Sequence, residues 1–118
     1  MLQPILSALH GANPEIEASA VVSIDGLMMA SCLPEHMDTR RHGTMRAAAM
    51  LSLGHRAMHA FSYGELEHVF VSGRDGDALM VAASPEIVIL ALIQPNAPLG
   101  VLFEHIERAA RSIRKVLL

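Results

Sequence analysis

The stretch VVSIDGLMMAS, residues 21–31, constrains the fold more than any other part of the chain. Its Asp25-Gly26 pair separates two apolar, β-prone runs, the pattern of a hairpin closed by a type I′ turn. With a two-residue turn, Ile24 and Leu27 flank it on one face, and Val22 and Met29 follow them. Val21, Met28 and Ala30 then take the other face. A hairpin with one wet face carries polar residues on it, and here neither face is polar apart from serines. A sheet that contains this hairpin is therefore covered on both sides, most simply by helices.

The remaining pattern supplies those helices. Residues 2–10 read as a short helix with Leu2, Ile5, Leu6 and Leu9 on one side, ended by Gly11, Asn13 and Pro14. Residues 17–24 and 27–32 are the two strands of the hairpin. The segment 34–38 breaks the pattern, and 39–61 reads as a long helix rich in Ala and Met. Its apolar positions form two adjacent seams, Met50, Leu53, Ala57 and Ala60 on one, and Ala47, Leu51, Gly54, Met58 and Phe61 on the other. Together they span about 200° of the helix surface, where a helix lying on one sheet needs a stripe of only about 100°. The surplus predicts a second buried contact, and the small residues Ala47 and Gly54 suit close approach by another helix. The polar strip carries Arg41, Thr44, Ser52, His55, Arg56 and His59.

Residues 65–72 alternate as a strand, GRDG (73–76) turns, and 77–83 return. After Ser84-Pro85-Glu86, the run EIVILALI (86–93) is apolar throughout, as expected for a central strand buried on both faces. A last helix spans 99–118, with Leu102, Ile106, Ala109, Ile113 and Val116 on its core face. The element order is α-β-β-α-β-β-β-α. Tight turns imply antiparallel pairing, so the expected architecture is an α+β sandwich with the long helix on one face and the terminal helices on the other. At 118 residues the chain has the size of one domain, 1–118, with one core and no linker or repeat.

Taken in order, these elements resemble the Roadblock-type dynein light chain domain, prokaryotic members included. The matching residues are the VVSIDGLMMAS hairpin, the helix RAAAMLSL, the strand pair around VSGRDG, the EIVILALI strand and the NAPLGVLFEHI entry to the last helix. The resemblance spans nearly the whole chain. It implies a five-stranded antiparallel sheet with one helix on one face and two on the other. It also implies a homodimer, or a heterodimer with a paralogue, with the middle helices side by side and the third strands paired edge to edge. Such domains regulate or scaffold small Ras-like GTPases in polarity, motility or signalling, or serve as adaptor subunits of motor complexes. The seven histidines, several on the middle helix, depart from the usual pattern.

The residues themselves also favour a dimer. The second seam lacks a mate, and Val69, Phe70 and Val71 form an unguarded apolar run on a strand expected at an edge. The expected interface is Ala47, Leu51, Gly54, Met58, Phe61, Glu67, Val69 and Val71, and the expected partner-contact residues are Arg41, His55, Arg56 and His59. Arg40 and Arg46 add positive charge to the same helix.

Other classes find little support. A net charge of −3 with no basic stripe argues against nucleic acid. The opening MLQPILSALHG is not a secretion signal, and no apolar run is long enough to span a bilayer. A single cysteine, Cys32, excludes an internal disulfide and suits the cytoplasm. It reads as a small buried side chain. His55 and His59 stand at i,i+4, but Arg56 beside them would repel a metal ion and no glutamate intervenes to act as a base. SIRK (112–115) matches a Ser-x-x-Lys spacing without companion motifs, and no phosphate-binding loop is present. No cofactor and no catalytic residue is expected. The alternative to a non-enzymatic module is a sensor of similar sandwich shape that binds a small molecule between sheet and helix.

Overall fold

The computed structural model describes residues 1–33 and 43–117, with the side chains of 43–46 left aside. The expected break at 34–38 and the start of the long helix at 39, with Arg40 and Arg41, lie outside the described residues. The elements are α1 (Gln3–Ala12), β1 (Ile16–Ser23), β2 (Met28–Cys32), α2 (Gly43–Ala60), β3 (His68–Gly73), β4 (Gly76–Ser84), β5 (Ile87–Ile93) and α3 (Leu99–Leu117). They make the α+β sandwich expected from the sequence. The five strands form one antiparallel sheet in the order β2-β1-β5-β4-β3. The apolar run 87–93 is indeed the centre of the sheet, because each of its faces lies under a helix layer.

Two cores result. On one face, Val21, Leu79, Val81, Ile89, Ala91 and Ile93 meet Leu6 and Leu9 of α1 and Leu102, Ile106, Ala109 and Ile113 of α3. On the other, Ala20, Val22, Met80, Val88 and Leu90 meet Ala47 and Leu51 of α2. The strict alternation of strand side chains produces this division: Val21 and Ile89 point one way, Val22 and Val88 the other. Val116, expected in the α3 core face, is 39 % exposed, and Ala110 is buried in that core instead.

The first hairpin differs from its expected form. The turn has three residues, Ile24-Asp25-Gly26, closed by Gly26 N–H donating to the Ser23 carbonyl (3.0 Å) and Ser23 N–H donating to the Leu27 carbonyl (2.9 Å). Only Gly26 has a positive φ, 87°, so the turn is a type I turn followed by a left-handed glycine, not a type I′ turn. Val22 therefore opposes Met28, and an extra residue at Met29 brings Val21 opposite Ala30. Met28, not Met29, joins Val22 on the α2 face.

Strand β3 begins at His68, later than the alternation at 65–72 suggests. Leu66 turns into the α2 core, and the Glu67 carbonyl accepts a bond from Ala82 N–H (2.9 Å). The α2 terminus is a Schellman motif: Tyr63 N–H reaches the Met58 carbonyl (2.9 Å) and Ser62 N–H the His59 carbonyl (3.1 Å). Ser62 occupies the left-handed position with φ 57°.

Candidate interaction surface

The α2 helix carries both of its apolar seams as drawn from the sequence, and the structure decides which one the sheet takes. Ala47 and Leu51 are 4 % and 1 % exposed, and Met58 packs partly against the same core. These residues, expected at a helix–helix contact, are spent on the chain's own sheet. Gly54 also serves an internal contact. A Cβ built there would lie 3.1 Å from a Leu66 methyl and 3.3 Å from a Val69 methyl, so the glycine lets α2 close onto its own strand β3. A pattern of small residues does not say whose backbone approaches.

The other seam remains open. Leu53 is 67 % exposed, Ala60 is exposed, and Met50 and Ala57 are half-buried, while Phe61, which spacing groups with Ala47 and Leu51, is 64 % exposed and falls with this open seam instead. Taking Leu51 as reference, at about 100° per residue Gly54 lies about 60° round, with Phe61, Met50, Ala57 and Leu53 continuing to about 160° on that side. Gly54 abuts β3, so this open seam lies on the β3 side of the helix. In the other direction come His55, His59, Ser52 and Arg56. Of these, His59 and Arg56 are exposed and His55 is half-buried. Three of the expected partner-contact residues thus share one flank, away from β3, while Arg41 lies outside the described residues.

Strand β3 is a sheet edge. Val69 is half-buried beneath α2, Phe70 and Val71 are 43 % and 44 % exposed, and Glu67 is exposed at the entry to the strand. His68 packs its ring edge-on against Phe103 of α3, with centroids 4.7 Å apart. The opposite edge, β2, is treated differently. It has five residues and an irregularity at Met29, and the Gln3 side chain of α1 donates to the Ser31 carbonyl (2.7 Å). Short length, a bulge and a capped main chain are devices that keep an edge from pairing.

Buried polar groups join α1 to α3 and to the sheet. Asn13, 3 % exposed, donates from Nδ2 to the Leu9 carbonyl (2.9 Å). Its Oδ1 lies 2.7 Å from His105 Nδ1. Because that oxygen can only accept, His105 carries its proton on Nδ1. His10 Nε2 lies 2.8 Å from Ser19 Oγ, and burial holds the His10 imidazole below its ordinary pKa. In the sequence Asn13 reads only as a helix terminator, and no local signal marks its link to a residue 92 positions away. A surface groove of about 530 Å³ lies between α1 and α3, floored by Ile5, Leu9 and Ala109 and rimmed by His105 and Arg108.

Ser112 Oγ donates to the Arg108 carbonyl (3.2 Å) within its own helix. Cys32 is half-buried at the end of β2, not fully buried as expected. Among the described residues no three His, Cys, Asp or Glu side chains are placed to hold a metal ion. Among them also, no helix is long and apolar enough to cross a membrane.

An antiparallel sheet with one helix on one face, two on the other and an open third strand defines a particular class of small α+β sandwich. The chain belongs to the Roadblock/LC7 domain family, whose model matches residues 5–93. An uncharacterized protein of Methanocaldococcus jannaschii is 34 % identical over 99 residues, which cover 84 % of this chain and 85 % of that protein. Among solved structures, a Roadblock/LC7 domain from Streptomyces avermitilis superposes with a TM-score of 0.89 at 22 % identity, covering 98 % of this chain and 96 % of that one. Myxococcus xanthus MglB superposes with a TM-score of 0.90 at 14 % identity, covering 98 % and 86 %. The likeness to these two structures is one of fold.

Proposed function

We propose that this chain is a non-enzymatic, dimeric interaction module of the cytoplasm that binds a small Ras-like GTPase and regulates or scaffolds it. The observation that carries the dimer is the placement of α2's open apolar seam on the same side as the open edge β3. A second copy related by a two-fold axis covers both at once: helix against helix and strand against strand. Burying a half-exposed seam and pairing an open edge act together, where each alone would be weak.

Family membership supports the choice of a GTPase as partner. The free flank of α2, with His55, Arg56 and His59, faces away from the dimer seam and carries the positive charge of Arg56. That suits contact with an acidic surface on a third protein. The module shifts a nucleotide equilibrium only by binding one nucleotide state more tightly than the other. Affinity capture with GTP- and GDP-loaded small GTPase tests this. The expected result is capture, with a preference between the two states, that is weakened by charge reversal of Arg41 and Arg56. Unchanged affinity in that variant removes this flank from the interface.

The α1–α3 groove favours a second reading, as a sensor. Its apolar floor with Arg108 at the rim suits an apolar ligand that carries an acidic group. A saturable rise in Tm with medium-chain carboxylates, together with failure to capture a GTPase, would favour the sensor.

A further inference from the structure

We propose that two copies pair β3 to β3 in one register only, with Phe70 on the two-fold axis, Val69 opposite the second copy's Val71, and His68 opposite its Ser72. This inference rests on the dimer reading above and goes beyond it by fixing which residues meet.

The main chain of β3 dictates the choice. Strand β3 runs against β4 without irregularity from His68↔Val81 to Gly73↔Gly76. At its entry the Glu67 carbonyl accepts from Ala82 N–H. In an antiparallel pair, hydrogen-bonded and non-bonded residues alternate. Glu67, Val69, Val71 and Gly73 therefore spend their amides on β4, and His68, Phe70 and Ser72 turn theirs outward. A two-fold axis normal to the sheet keeps both α2 helices on one face. It sets opposite one another only residues that point to the same face.

Of the axes that meet these conditions, those at Val69, Phe70 and Val71 keep most of the strand paired. With Phe70 on the axis, all three outward residues pair: Phe70 with its copy, and His68 with Ser72 in both directions. With Val71 on the axis, His68 falls opposite Arg74, which is in the turn. With Val69 on the axis, Ser72 falls opposite Leu66, which precedes the strand and is buried in the α2 core. Only the central register satisfies every exposed edge amide.

The side chains agree with that register. Val69 and Val71 point to the α2 face, where Val69 already packs beside Gly54. The cross-axis Val69–Val71 pairs then form the floor beneath the two open helix seams. On the opposite face, His68 rests on Phe103. Phe70, 43 % exposed, meets its own copy there and extends this aromatic contact across the axis. Because β2 is short, irregular and capped by Gln3, sheet extension stops at two copies.

Disulfide trapping in a Cys32→Ser background tests the register. A single cysteine cross-links to its own copy only when it sits on the axis. One residue off the axis, the two Cα atoms stand about 8 Å apart, beyond the roughly 7 Å that a disulfide can span. Under mild oxidation Phe70→Cys is expected to run mainly as a covalent dimer, whereas Val69→Cys and Val71→Cys stay monomeric on a non-reducing gel. The double variant Val69→Cys/Val71→Cys joins through its cross-axis pairs and gives a second readout should the bonded geometry at Phe70 disfavour the disulfide. Cross-linking of Val69→Cys or Val71→Cys alone overturns the register while leaving the dimer intact. No cross-link in any variant, with a dimeric mass in solution, overturns edge pairing. A monomeric mass overturns the dimer reading, and the register with it.

Discussion

Ser62 holds a left-handed backbone conformation at the end of α2, with φ 57°. Non-glycine residues are strained there by roughly 1–2 kcal/mol, which glycine avoids at some cost in unfolded-state entropy. Ser62→Gly is therefore expected to stabilise the fold by up to about 1 kcal/mol, a rise of about 2–5 °C in Tm by thermal denaturation. His10 gives a pH dependence. Burial lowers its folded pKa below the ordinary value of 6.5, so between the two pKa values the unfolded chain binds more protons than the folded one. Stability is then complete above pH 6.5 and is lost as the pH falls through the folded pKa. The fall in Tm on acidification is expected to be smaller in His10→Gln than in the wild type. At this scale the sequence was partly legible. Leu6, Leu9, Leu102, Ile106 and Ile113 announce themselves by helical spacing, and all are buried. Asn13, Ser19 and His105 do not, because their partners are set by packing between elements, α1 against β1 for Ser19 and the end of α1 against α3 for Asn13 and His105.

At the level of elements, α2 shows what periodicity contains and what it omits. The two seams are visible as residues, and their combined width shows that one contact does not use them all. Which seam meets the sheet depends on how β3 and Leu66 close around Gly54, and that is a property of the folded chain. The same limit applies to the first hairpin. Asp25-Gly26 marks the turn, but the extra residue at Met29 follows from the twist and bulge of an edge strand, which alternation alone does not encode. The revised seam makes a specific prediction. Leu53→Glu, at a position 67 % exposed, leaves the fold and its Tm nearly unchanged while shifting the mass in light scattering from dimer toward monomer. A stable, unaltered dimer in that variant would place the helix contact elsewhere.

Across the described residues, the sandwich is complete on its two faces and incomplete on one side. Helices cover both faces of β1, β5 and β4, as the apolar run 87–93 requires. One sheet edge is closed by Gln3 and a bulge, and the other, beside an apolar helix flank, is open. That asymmetry is the central claim, because it makes a closed pair the natural assembly and leaves the Arg56 flank free for a third protein. The most direct test is the molar mass of the 118-residue chain by light scattering at micromolar concentration. The expected mass is twice the chain's 12.7 kDa, with no larger species. A mass of one chain across that range, with the protein folded, would contradict it.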